Sequence, residues 1–390
     1  MKKHLYVINF NSGSGQNKKR YQFGRVKDIA LFIGKNKASI RYESGVVKEQ
    51  EDFITFKDKL FRDAYRKVHL LHAFIYNSGL RVDKIEIIID GDSKEYDKSY
   101  SSFPFLYSMI RPKYLGLGGA WKDLIPETLA VSKSVMDKDL RFVSVFSFLL
   151  AKSKYYETER FSNLWTAMNA YYSYVALCFE KKLRMELGVN ENEELRSALT
   201  LHGDYQSIGA LCWLIGGKYR SYGKEDTDKL WKRHSVENIL GNYKEPQIKK
   251  LYEAAAGEAD GVELPAEYAG LASCAEELGV SLYAFMLLVY PYHWRCDLFH
   301  GNRTPVLFLA CTDNELTMLH VINYFLERFL NESIPKMFTE DFFTEAEYEK
   351  VKQYMRMITA DKGGRNKFDK YFERMGKLPD TMNRANLNMR

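Results

Sequence analysis

Two side chains at the end of one apolar stretch have the types and spacing to act on a phosphodiester. In "YHWRCDLFHGNRTP", Tyr292 to Pro305, Arg295 precedes His300 and Gly301 follows at once. An imidazole titrates near neutral pH and can move protons to or from a ribose hydroxyl; a guanidinium can stabilise charge developing on phosphate oxygens. Together they have the chemistry for cleaving RNA without a metal. A structural reading competes with it, in which His300 bonds the orphan carbonyls of a helix end and Arg295 forms a surface ion pair.

The elements that would position this pair are legible. Leu282, Phe285, Met286 and Val289 form an apolar helical face leading up to Pro291 and Arg295, and Gly301 is the natural left-handed terminator. Five residues turn roughly 140° on an ideal helix, so Arg295 and His300 are not squarely on one face. Arginine is long and the last turn can relax, so both reach one cleft, with Leu298 and Phe299 anchoring the turn. Tyr292 and His293 adjoin the pair and either contact a base or phosphate or simply pack. Upstream, "TERFSNLWTAMNAYYSYVALCFEKKLRMEL" places Phe161, Leu164, Trp165, Met168, Tyr172, Val175, Phe179 and Leu183 at helical steps, one apolar stripe against a bundle core. Asn169 is on the polar side of that helix, where it can face the cleft.

"RCDLFHG" together with "RFSNLWTAMNAYY" resembles the Apea-like branch of the HEPN superfamily, in which an "RF..LW.A.NA.Y" helix precedes a helix ending in an arginine, "LFHG" and a following proline, here Pro305. The resemblance spans about Asp137 to Glu332. It implies a helical bundle that forms a homodimer with a composite active site, and a metal-independent endoribonuclease of a defence or toxin system. By motif match Arg295 would bind phosphate, His300 would be the acid–base residue and Asp297 an auxiliary polar group; Tyr292, His293 and Asn169 are the substrate-binding candidates. The alternative is a non-catalytic HEPN module that binds a nucleotide, RNA or a protein.

Away from the motif, "HLYVINF" and "VDKIEIIIDGD" read as strands with turn signals after them. Between them an amphipathic helix is expected, with Phe56, Leu60, Tyr65, Val68, Leu71 and Phe74 on its apolar face. A Gly- and Pro-rich stretch from about Pro104 to Pro126 marks a junction, after which the texture turns helical. The expected fold class is α+β: a small α/β module over 1–130, a mainly α-helical HEPN-like bundle over 131–338 and a helical basic extension over 339–390. In the bundle's last long helix Thr312 and Glu315 have capping-box spacing and Leu316, Leu319, Leu326 and Phe329 supply the buried face. The region from Asn190 to Gly279 shows no catalytic motif. Two glycine-rich stretches, "NSGSG" from Asn11 and "GLGGAWKD" from Gly116, lack the downstream features of a phosphate loop and read as a turn and a junction.

Composition narrows the classes. Hydrophobic residues at 46% and charged at 28% describe an ordered globular chain. "FVSVFSFLLA" is about half the ~20 residues that span a bilayer, and no secretion signal is recognisable, so no membrane partner and a cytoplasmic location are expected. Five dispersed cysteines without zinc spacing fit reduced thiols, with no metal and no cofactor called for. A net charge of +6 permits RNA as a partner.

Overall fold

The computed structural model describes residues 3–10, 19–22, 29–34, 37–55, 57–76, 82, 84–97, 139–154, 156–187, 204–217, 219, 223–299, 313–339 and 342–360. Both glycine-rich stretches, the Pro104–Pro126 junction, Thr312 and the basic tail lie outside them. The protein is α+β, an N-terminal sheet with helices followed by a mainly helical region, and it divides into two compact units, Met1–Asn163 and Leu164–Arg390.

In the first unit β1 (His4–Phe10), β2 (Lys19–Gln22), β3 (Ile29–Ile33), β4 (Ala38–Ser44), β5 (Lys84–Ile89) and β6 (Asp92–Asp97) form an antiparallel sheet of order β2-β3-β4-β1-β5-β6. Residues alternate faces along a strand, so Tyr6, Ile8 and Phe10 of β1 are all buried on one side. β4 and β5 are both antiparallel to β1, hence parallel to each other, which demands a crossover. That crossover holds α1 (Gln50–Ile54) and α2 (Lys59–Tyr76), and α2 packs on β3 and β4. Aromatic rings fill the interface: Phe10 is 5.1 Å from Tyr65, and Phe53 meets Phe61 edge-on at 5.4 Å. The β5–β6 turn is Asp90-Gly91 with φ of 49° and 104°, the positive values a two-residue hairpin turn needs. The unit also contains α3 (Leu140–Ser153), capped by Asp139.

On the expected face of α2, Tyr65 and Val68 are buried as read, Leu60 is not, and Phe56 and the side chains of Leu71 and Phe74 lie outside the described residues. Leu60 is 42% exposed, whereas Phe61, Ala64, Tyr65, Val68 and His72 are buried. The Asp58 carboxylate accepts the Phe61 N–H at 2.7 Å, so this cap starts a new helix after α1 and sets the stripe from Phe61.

The second unit is built from α4 (Glu157–Leu187, which begins in the first), α5 (Asp204–Ile215), α6 (Lys224–Arg233), α7 (Val236–Gly241), α8 (Glu245–Ala259), α9 (Ala269–Glu277), α10, α11 (Asp313–Lys336) and α12 (Glu345–Ala360). The α4 stripe is as read: from Phe161 to Leu183 none of its eight members is more than 3% exposed. Leu319, Leu326 and Phe329 of α11 are buried, but Leu316 is 41% exposed. Asn314 approaches α7 closely, since a Cβ on Gly241 would lie 2.8 Å from the Asn314 Cβ. Leu316 is two positions on, roughly 200° around the helix, and so points away.

Helix α10 runs through Leu282–Ala284, a π-helical turn over Phe285–Val289, and Tyr290–Phe299. In the π turn the Tyr290 N–H bonds the Phe285 carbonyl, five residues back. Pro291 follows directly and has no N–H to give the Leu287 carbonyl, so widening the helix here carries the chain past a residue that would otherwise break it. The extra residue in the turn rotates everything after it by roughly 100°, which decides where Tyr292 and Arg295 point. Among the described residues no helix is long and apolar enough to cross a membrane.

Candidate functional site

Tyr292, Arg295 and Cys296 stand at i, i+3 and i+4 on α10 and so share one face. That face meets α4. The Tyr292 ring is 6.2 Å from Trp165, and Trp165 is 6.2 Å from Tyr172, one further helical repeat along the α4 stripe. Arg295 is half-buried, and its Nη1 donates to the Cys296 sulfur at 3.9 Å.

Electrostatics tie a third helix to this pair. Burial is the main force raising the Tyr172 phenol above its ordinary value, the Asp204 carboxylate adds to it, and the Arg295 charge pulls the other way. Burial likewise pushes Tyr292 up to about 12, helped by Cys296 and Asp204 and opposed by Arg295. Both phenols therefore sit within reach of one negative and one positive side chain. Asp204 is the first residue of α5 and half-buried. The Tyr172 hydroxyl is fully buried, and the Asp204 carboxylate acts on it both through its charge and as a hydrogen-bond partner, in a contact outside strict hydrogen-bond geometry. Behind this face more phenols gather. Tyr205 is 5.8 Å from Tyr219, and the buried Tyr219 is influenced by Cys212, Tyr292 and Tyr354.

The other sequence candidates distribute as follows. His293 is one position on from Tyr292, roughly 100° around the helix, and packs edge-on against Trp231 of α6 at 5.3 Å. Asn169 shares the α4 face of Trp165 and Tyr172 at i+4 and i−3, half-buried, with its Oδ1 3.5 Å from the Ser173 hydroxyl. Asp297 belongs to α10, but its side chain, like His300 and Pro305, lies outside the described residues. The structure thus brings Tyr292 and Arg295 together and sends His293 toward α6.

Sequence reading missed Trp165 and Tyr172 as site residues because it counted them as stripe; a phenol in an otherwise apolar stripe was the available signal. Asp204 carries no local signal at all, since only the packing of α5 brings it to the other two helices. Among the described residues no group of three or more His, Cys, Asp or Glu side chains could hold a metal ion. No protein-family model, curated protein or solved structure matches the chain.

Proposed function

We propose that this protein is a metal-independent endoribonuclease of the HEPN type, acting on RNA in the cytoplasm as a homodimer of a defence or toxin system. The observation that carries the reading is the half-buried Arg295 on one helix face with Tyr292, beside Trp165 and Tyr172. A guanidinium grasps phosphate and aromatic side chains stack bases, so this pairing suits single-stranded RNA.

In this reading a ribose 2′-oxygen attacks the adjacent phosphorus while the 5′-oxygen of the next nucleotide leaves. His300 takes the 2′-hydroxyl proton or returns one to the departing oxygen, and Arg295 neutralises the charge that builds on the non-bridging oxygens. Asp297 is an auxiliary polar group, with Asn169 at the margin of the substrate path; His293, packed on Trp231, supports the helix rather than the substrate. The products are a 2′,3′-cyclic phosphate and a 5′-hydroxyl. Incubating the protein with RNA in EDTA and analysing the fragment ends tests this directly: cyclic phosphates are expected, and 3′-hydroxyl ends would exclude the mechanism.

A further inference from the structure

We propose that Trp231 is a positioning residue for Arg295: lodged against the back of α10, it fixes the rotation of the helix that aims the guanidinium and Tyr292 at the site. That cleavage depends on this grip rests on the nuclease reading above.

The π turn creates the need for such a residue. Its extra residue swings everything after Val289 by roughly 100°, so Arg295 is only as well aimed as that turn is held. A π turn is a rare departure from regular helix, and side chains brace it here. Tyr290 is the first residue beyond it. Its fully buried ring lies 5.8 Å from Phe285 at the other end of the turn, and its hydroxyl donates to the Met318 sulfur of α11 at 3.6 Å.

Trp231 of α6 completes the brace. Its indole stands nearly perpendicular to two rings of α10 at once, 5.0 Å from Tyr290 at 78° and 5.3 Å from His293 at 81°. Tyr290 and His293 stand at i and i+3, neighbours on one face, and that face looks away from the one shared by Tyr292, Arg295 and Cys296. A ring lodged between two residues a turn apart resists rotation about the helix axis. The His293 ring in turn meets Tyr292 at 5.7 Å, and Tyr292 leans on Trp165 of α4, so the contact from α6 is passed to the site face.

The residue type argues for reach over bulk. Trp231 is 4% exposed, and its indole N–H has no hydrogen-bond acceptor among the described residues, a cost that phenylalanine or leucine would avoid. What the indole adds is the size to touch Tyr290 and His293 together.

The test reads the rotation through the half-buried thiol of Cys296 on the site face. We expect Trp231→Leu to raise the rate of Cys296 alkylation by iodoacetamide, followed by peptide mapping, about fivefold through local opening, while the half-buried Cys178 of α4 changes by less than about twofold. Trp231→Phe, which restores a ring edge, should return most of the wild-type rate. On RNA in EDTA, Trp231→Leu should lower kcat about tenfold and leave KM within about twofold, the pattern of a misplaced catalytic group. Equal alkylation of Cys296 in wild type and Trp231→Leu overturns the proposal. So does a rise that Cys178 shares, because the whole bundle would then have loosened. Should Trp231→Leu fail to fold, His293→Leu removes the other half of the contact from a half-buried position and should raise Cys296 alkylation about threefold; an unchanged rate there overturns the proposal equally. Intact RNA with wild type alongside the Cys296 response would count against the nuclease reading only, and RNA cleavage that Trp231→Leu leaves undiminished would count against the positioning role only.

Discussion

The hydroxyl of Tyr172 is buried beside the Asp204 carboxylate in a contact outside strict hydrogen-bond geometry, so the bond returns less than the hydration the hydroxyl gives up. Tyr172→Phe is therefore predicted to leave the melting temperature unchanged or raise it, by up to about 1 kcal/mol in unfolding free energy; a clear loss of stability by thermal denaturation would mean the hydroxyl is well satisfied. Arg295→Ala should behave in the opposite sense, with stability nearly intact and cleavage reduced about 10²–10³-fold, the usual cost of removing one group that stabilises transition-state charge. Tyr292 and Arg295 were legible in the sequence because they adjoin a motif in which type and spacing coincide. Asp204 was not, since nothing around it in the chain differs from an ordinary helix start and its neighbours come from α4 and α10.

At the level of helices, periodicity told which side of α4 is buried and the structure agrees residue by residue. It misjudged Leu60 and Leu316, both near helix starts, where a cap or a single close contact sets the phase. It also gave no hint of the π turn, because hydrogen bonding five residues back leaves the apolar pattern of "FMLLV" unchanged. Close packing of α5 on α12 supplies a sharp test. A Cβ on Gly209 would overlap the Tyr354 hydroxyl, and that ring is fully buried. Gly209→Ala is predicted to destabilise the protein by about 1–3 kcal/mol through overpacking. Combining it with Tyr354→Phe should recover part of that loss, so chemical denaturation of the single and double variants ought to show non-additive changes.

The molecule as a whole is held by buried phenols in both units. Burial is the leading cause that raises Tyr42, Tyr172, Tyr219, Tyr283 and Tyr354 above the ordinary tyrosine value. In the unfolded chain they ionise near pH 10. The stability that comes from keeping them neutral is thus full below about pH 10 and is lost as pH rises toward the folded values. Thermal melts should fall steeply above about pH 10, and after the exposed tyrosines have ionised near pH 10, a second rise in tyrosinate absorbance should coincide with loss of helical circular dichroism. Complete ionisation of all tyrosines while the helices persist would show that the buried rings reach water.

Pairing Arg295 with His300 as the agents of RNA cleavage is the central claim, and comparing wild type with Arg295→Ala and His300→Ala on one RNA in EDTA tests it most directly. The account predicts cleavage to cyclic phosphates by wild type and its loss in both variants, each with an unchanged melting temperature. Cleavage that survives either substitution, or intact RNA with folded wild-type protein, would contradict it.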